Sequence, residues 1–217
     1  SVHSALPTGI KHRKFTAHLL FHRFLMPALL RPVQDFAPPR PVLLKDYQPS
    51  AFLVTDVALK IAIHDDATTV DSTLSFKRNP KAKGKAPLRL DGVELELLSV
   101  SLNGKVLPPD AYKRTAEQVI IHDLPAQGTL TIVNRIQPQR NTALSGFYLS
   151  GAMLTTQCEA EGFRRITYYP DRPDILARFK VRMEADAKRY PVLLANGNLT
   201  AKGKAKDGRH WVEWEDP

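Results

Sequence analysis

At 217 residues, 43% hydrophobic and 24% charged, the chain has the composition of a globular protein long enough to bury a core. Its single cysteine, Cys158, excludes an intrachain disulfide and fits a reducing compartment, and no apolar run approaches the roughly 20 residues of a membrane-spanning helix. The net charge of +9 is uneven: Lys11, Arg13, Lys14, Arg23 and Arg31 fall in residues 1–34, which hold no acid, so a basic nucleic-acid-binding face on the folded body is not indicated.

Residues 1–41 differ from the rest. They are basic, contain His18 and His22, and are punctuated by prolines that end in FAPPRP (Phe36–Pro41), an extended linker. This stretch is expected to be a leader outside the fold, disordered or non-native. Residues 1–25 have the acid-poor composition of an organellar targeting peptide; the alternative is upstream sequence foreign to the protein, with Met26 as the natural start. His18 and His22 stand four apart, as zinc ligands on a helix do, but HLLFH lacks the glutamate that follows the first histidine in that motif, and no third ligand is evident.

From Ala51 onward the pattern is β. Val57, Leu59, Ile61 and Ile63 alternate with Ala58, Lys60 and Ala62, which predicts a strand with one buried face. The same period predicts strands at Val93–Leu97, at Phe179–Glu184 and at Trp211–Glu215. Turns are expected at Asp65-Asp66, Asn79-Pro80, Asn103-Gly104, Pro108-Pro109, Gly128, Asn196-Gly197 and Asp207-Gly208. Only Asp171–Ala177 offers a short helix or turn. Strands spaced this way imply an all-β domain over residues 42–217, a twisted antiparallel β-sandwich. Lys77, Arg78, Lys81, Lys83 and Lys85 form a basic cluster without stacking aromatics, expected at a solvated hairpin tip.

The densest chemistry lies in QCEAEGFRRITYYPDRPD, Gln157 to Asp174. Charges among aromatics must be paired or aimed at a ligand, because a buried lone charge costs several kcal/mol. Cys158 beside Glu159 is expected to be an inert thiol. On an extended strand Gln157 and Glu159 would face one space, where a carboxylate and an amide oxygen suit a peptide's α-ammonium. Pairing within the segment remains the alternative, and Glu161 is expected to pair with Arg164 or Arg165.

The order of these residues resembles the bacterial aminopeptidase N family, zinc metallopeptidases that remove N-terminal amino acids from peptides. NTALSGFYLSG (Asn141–Gly151), TQCEAEGFRRITYYPDRPDILARF (Thr156–Phe179), YPVLLANGN (Tyr190–Asn198) and DGRHWVEWEDP (Asp207–Pro217) follow the family in register, as does LKDYQPSAFLVTDVAL (Leu44–Leu59). Ser145 stands where a glutamate is usual and Pro170 where a leucine is common. The resemblance covers residues 42–217 and implies the saddle-like N-terminal β domain of such an enzyme. It further implies that Gln157 and Glu159 line the pocket for the substrate's first residue, with Glu159 holding the amine. The zinc and the catalytic residues would belong to a domain after residue 217, so this stretch alone is expected to bind no zinc and to be inactive. The partners implied are peptide substrates and, within the same polypeptide, the catalytic domain, with no nucleic acid or membrane; the place implied is the cytoplasm. A stand-alone β-sandwich that binds peptides or proteins is the alternative.

Overall fold

The structure is a computed structural model that describes residues 43–82 and 84–217. The expected leader, residues 1–41, and the His18–His22 pair lie outside the described residues.

The described residues form thirteen strands: β1 (Phe52–Ile63), β2 (Thr68–Arg78), β3 (Leu88–Asp91), β4 (Glu96–Leu102), β5 (Lys105–Val106), β6 (Tyr112–Arg114), β7 (Gln118–Ile121), β8 (Gln127–Ile136), β9 (Gly146–Ser150), β10 (Met153–Gln157), β11 (Arg178–Asp186), β12 (Asn198–Lys204) and β13 (Arg209–Asp216). Eight of them make one sheet in the order β12-β13-β11-β1-β2-β8-β4-β5, three make a small sheet in the order β3-β7-β6, and β9 with β10 makes a separate hairpin. The domain is all-β, as the periodicity predicts. Within β1, Val57, Leu59 and Ile63 are buried while Ala58 and Lys60 are exposed.

The two larger sheets share one core. Val57, Leu74, Leu130 and Ile132 from the large sheet join Leu88, Leu90, Val119 and Ile121 from the small one, each at most 4% exposed. Full burial of an aliphatic side chain of this size contributes about 1.5–3 kcal/mol. Three inward positions are polar instead: Thr68, Ser72 and Asn134 are fully buried. Asn134 donates from Nδ2 to the Ile166 carbonyl at 3.0 Å, which ties β8 to the charged segment.

Three expectations are corrected. The sheet is not wholly antiparallel, since β1 pairs β11 in parallel, Asp56 opposite Arg178. One edge of β1 is taken by its hairpin partner β2, and the long excursion before β11 supplies the crossover that parallel pairing requires. Val93–Leu95 is a turn rather than a strand, with Glu94 at φ 57° and the Val93 N–H donating to the Arg164 carbonyl at 2.9 Å. Gly128 is not a turn but lies in β8 opposite Phe76. A side chain there would meet Asn103 Oδ1 at 2.8 Å and the Phe76 ring at 3.1 Å, so close approach, not turning, explains the glycine.

Candidate functional site

The charged segment begins where the β9–β10 hairpin ends. Gln157, the last residue of β10, lies opposite Gly146, the first of β9. The chain then folds back over this rung, with the Gly162 N–H donating to the Cys158 carbonyl at 2.8 Å and a short 3-10 helix at Phe163–Arg165. Gly146 has φ 78°, and a Cβ on it would stand 2.5 Å from Arg165 Cβ and 3.1 Å from the Gly162 carbonyl. A Cβ on Gly162 would stand 2.4 Å from the Gln157 carbonyl oxygen. Two glycines thus allow the turn to lie against the hairpin backbone. The Glu159–Ala160 peptide within it is cis.

Most charges of the segment are paired internally. The Arg164 guanidinium donates from Nε to Asp171 Oδ2 and from Nη2 to the Asp171 carbonyl, both at 3.1 Å, and its Nη2 stands 3.3 Å from Glu161 Oε1. The backbone N–H of Asp171 donates to Asp91 Oδ2 at 3.2 Å, and Gln118 Nε2 donates to Asp91 Oδ1 at 2.9 Å. Arg165 pairs with Glu94 at 2.6 Å. Arg172 forks onto Asp174 at 2.8 and 2.7 Å and reaches the Gln48 carbonyl, while the Tyr47 hydroxyl donates to Asp174 at 2.9 Å. The hydrogen bonds from Arg172 hold the Asp174 carboxyl below its ordinary range. Beneath this layer Phe163, Tyr169 and Phe179 pack edge-on, with Phe163 ring centroids 5.1 and 5.8 Å from the other two. Burial, reinforced by Asp171, pushes Tyr169 up to about 12.

Glu161 pairs with Arg164, one of the two partners expected for it. Burial and then Asp171, rather than Glu159, raise the Cys158 thiol, which disfavours the reactive thiolate. The cluster Lys77 to Lys85 is not a hairpin tip, since β2 and β3 are not neighbours and Arg78 stacks on the Phe52 ring at 4.3 Å. Lys83 lies outside the described residues. Asp91, on β3, holds the segment from far along the chain and is itself held by Gln118 on β7, and nothing in their sequence neighbourhood signals this role.

Gln157 and Glu159 do not share a strand. β10 ends at Gln157, and Glu159 lies in the following turn. The two residues are linked in another way: the Gln157 side-chain Nε2 donates to the Glu159 backbone carbonyl at 3.1 Å. The Gln157 amide oxygen is thereby left as an acceptor. Both residues are exposed. Of the acids from Gln157 to Asp174, Glu159 is the one whose carboxylate has no hydrogen-bond or ion-pair partner among the described residues. A free carboxylate beside a fixed amide is an acceptor set for a cation bearing N–H groups. Among the described residues no group of three or more His, Cys, Asp or Glu side chains is placed to hold a metal ion, so they do not fit a zinc centre. No helix among them is long and apolar enough to cross a membrane.

Comparison with known proteins places this architecture. Residues 47–217 match the peptidase M1 N-terminal domain. The chain belongs to that family. This M1 N-terminal domain is 46% identical over 172 residues to aminopeptidase N of Escherichia coli, a match covering 79% of the chain and 19% of that protein. It is 45% identical over 180 residues to aminopeptidase N of Caulobacter vibrioides, covering 82% of the chain and 20% of that protein. A crystal structure of Legionella pneumophila aminopeptidase A in complex with aspartic acid superposes with a TM-score of 0.76 at 32% identity, covering 80% of this chain and 20% of that one. An M1 zinc metallopeptidase from Deinococcus radiodurans, at 18% identity and a TM-score of 0.62 over 80% of this chain and 41% of that one, shares the fold. This M1 N-terminal domain thus spans about a fifth of the length of the curated relatives it matches.

Proposed function

We propose that this domain works as the N-terminal β domain of a zinc aminopeptidase that removes N-terminal amino acids from peptides. Glu159 and Gln157 line the pocket for the substrate's first residue. The Glu159 carboxylate accepts the α-ammonium, and the Gln157 amide oxygen takes a second N–H, with its own amide nitrogen engaged by the Glu159 carbonyl. The observation that carries this reading is the Glu159 carboxylate, unpartnered among the described residues in a segment whose other acids are all paired. A structural acid would be expected to join that network; one kept for a ligand would not. Zinc and the catalytic groups are assigned to a further domain of the same polypeptide, which packs against this one. Peptides are the substrates, neither nucleic acid nor membrane is a partner, and the enzyme works in the cytoplasm, where a lone thiol stays reduced.

The test is Glu159→Ala in the complete aminopeptidase that carries this domain. Leaving an ammonium without its charged acceptor costs on the order of 2–5 kcal/mol, so kcat/KM on alanine p-nitroanilide should fall about 30-fold or more. Gln157→Ala should lose less, because a neutral hydrogen bond is weaker. Zinc content should be unchanged in both. A folded Glu159→Ala enzyme with nearly full kcat/KM, or a folded Glu161→Ala enzyme that loses as much as Glu159→Ala, would overturn the assignment.

A further inference from the structure

Apart from the close packing of Gly162 on the hairpin, the turn that carries Glu159 has few polar anchors of its own. Its backbone closes with one hydrogen bond, Gly162 N–H to the Cys158 carbonyl, and Glu159, Ala160 and Glu161 are all exposed. Its two side-chain ties are Gln157 onto the Glu159 carbonyl and Glu161 onto Arg164. The second leads to a firm support. Arg164 is held on three sides: its backbone N–H and its Nε both donate to Asp171 Oδ2 at 3.1 Å, its Nη2 donates to the Asp171 carbonyl, and Asp91 Oδ2 stands 3.9 Å from Nη2. The side chains of Arg164, Asp171 and Asp91 are only 21%, 16% and 17% exposed, so the cluster is screened from water and its geometry is fixed. Asp91 belongs to β3, and its backbone exchanges hydrogen bonds with Tyr169 at 2.8 and 3.1 Å. The small sheet is therefore bolted to the charged segment at Tyr169 and Asp171, beside the Arg164 side chain.

We propose that Arg164 is a positioning residue for the amine acceptor: clamped by Asp171 and Asp91, it fixes the 158–162 turn through Glu161 and so sets where the Glu159 carboxylate stands. This rests on the reading of Glu159 as the acceptor of the substrate amine. A carboxylate on a loosely held turn would spend most of its time away from the amine, and the discrimination between substrates with and without that group would suffer before overall folding did. The small sheet then has a task in recognition although none of its residues touches substrate.

The experiment uses the complete zinc aminopeptidase and two inhibitors, phenylalanine hydroxamate and its desamino counterpart 3-phenylpropionohydroxamate. Both offer the same metal-binding group, and only the first carries the α-amine. The ratio of their inhibition constants reads amine recognition alone. Glu159→Ala should bring this ratio close to that of an enzyme indifferent to the amine. Arg164→Gln should reduce it at least fivefold, with the inhibition constant of the desamino compound unchanged within twofold, and Arg164→Lys should recover part of the loss. Glu161→Gln serves where the buried variants fail to fold, because Glu161 is 69% exposed; it should reduce the ratio at least twofold. A ratio that Glu159→Ala collapses but Arg164→Gln and Glu161→Gln leave at the parent value would overturn the positioning role while sparing the acceptor. A ratio that Glu159→Ala leaves intact would overturn both.

Discussion

Gly162→Ala adds one methyl group to the turn below Glu159, and the structure says what that methyl would meet. It would lie 2.4 Å from the Gln157 carbonyl oxygen, 2.7 Å from Cys158 Cα and 3.1 Å from the Gly146 nitrogen. All three are backbone atoms, so no side chain can swing aside. The backbone of Gly162 itself, at φ −86° and ψ −21°, suits alanine well. The penalty is therefore steric only. The turn must lift from the hairpin by several tenths of an ångström, and overpacking of this kind costs about 1–3 kcal/mol; with three fixed contacts the upper end is expected. Gly208→Ala is the counterpart, with open space around it but φ 72°, where the left-handed backbone costs about 1–2 kcal/mol. Urea denaturation of the 217-residue chain, followed by the fluorescence of Trp211 and Trp214, measures both. In the complete enzyme Gly162→Ala should also lower kcat/KM, while Gly208→Ala should not. A Gly162→Ala chain within about 0.5 kcal/mol of the parent, the range of an ordinary surface change, would refute the picture of a turn pinned against β9 and β10.

Alkali should probe the aromatic layer. Tyr169 holds its proton up to about 12 in the folded state against about 10 unfolded, so its contribution to stability is complete below pH 10 and is lost as pH rises from about 10 to about 12. A Tyr169→Phe chain should lose less stability than the parent over that window; equal losses would count against it. The 217-residue chain should bind no stoichiometric zinc and hydrolyse no aminoacyl p-nitroanilide, given that no ligand set converges among its described residues. About one tightly held zinc per chain, kept after deletion of residues 1–41, would contradict this.

Strands with clean alternation were legible in the sequence. β1, β11 and β13 announce themselves because their inward positions are aliphatic or aromatic. β2 and β8 give a weaker signal because Thr68, Ser72 and Asn134 occupy inward positions, and a buried threonine reads as an exposed one. Alternation also carries no direction, so the parallel partnership of β1 and β11 leaves no local trace. Val93–Leu97 alternates, yet its first three residues turn before β4 begins at Glu96: Gly92 lies against the Tyr168 ring, 2.3 Å from where its Cβ would be, and the Val93 N–H is engaged by the Arg164 carbonyl. At the candidate site the residue types were legible and their arrangement was not. Gln157 and Glu159 were expected to share a strand face, whereas the strand stops between them and an amide bridges the gap. The chain after Gln157 turns back, Gly162 N–H to the Cys158 carbonyl, and lies against Gly146 at the start of β9, an approach across the hairpin that alternation does not display.

The parallel partnership has a consequence for how such a chain is made. β1 emerges early and pairs at once with β2, but its other edge is completed only by β11, Asp56 meeting Arg178. At a synthesis rate of about 5–20 residues per second, the ~120 residues between them take on the order of 6–24 s to appear. For that interval a strand with Val54, Val57, Leu59 and Ile63 on one face and a row of free backbone N–H and C=O groups along one side is open to any extended neighbour. The ribosome-bound chain is then at its most vulnerable to pairing with another nascent copy, and a holding chaperone that covers β1 would protect it until β11, at the start of the last quarter of the domain, arrives.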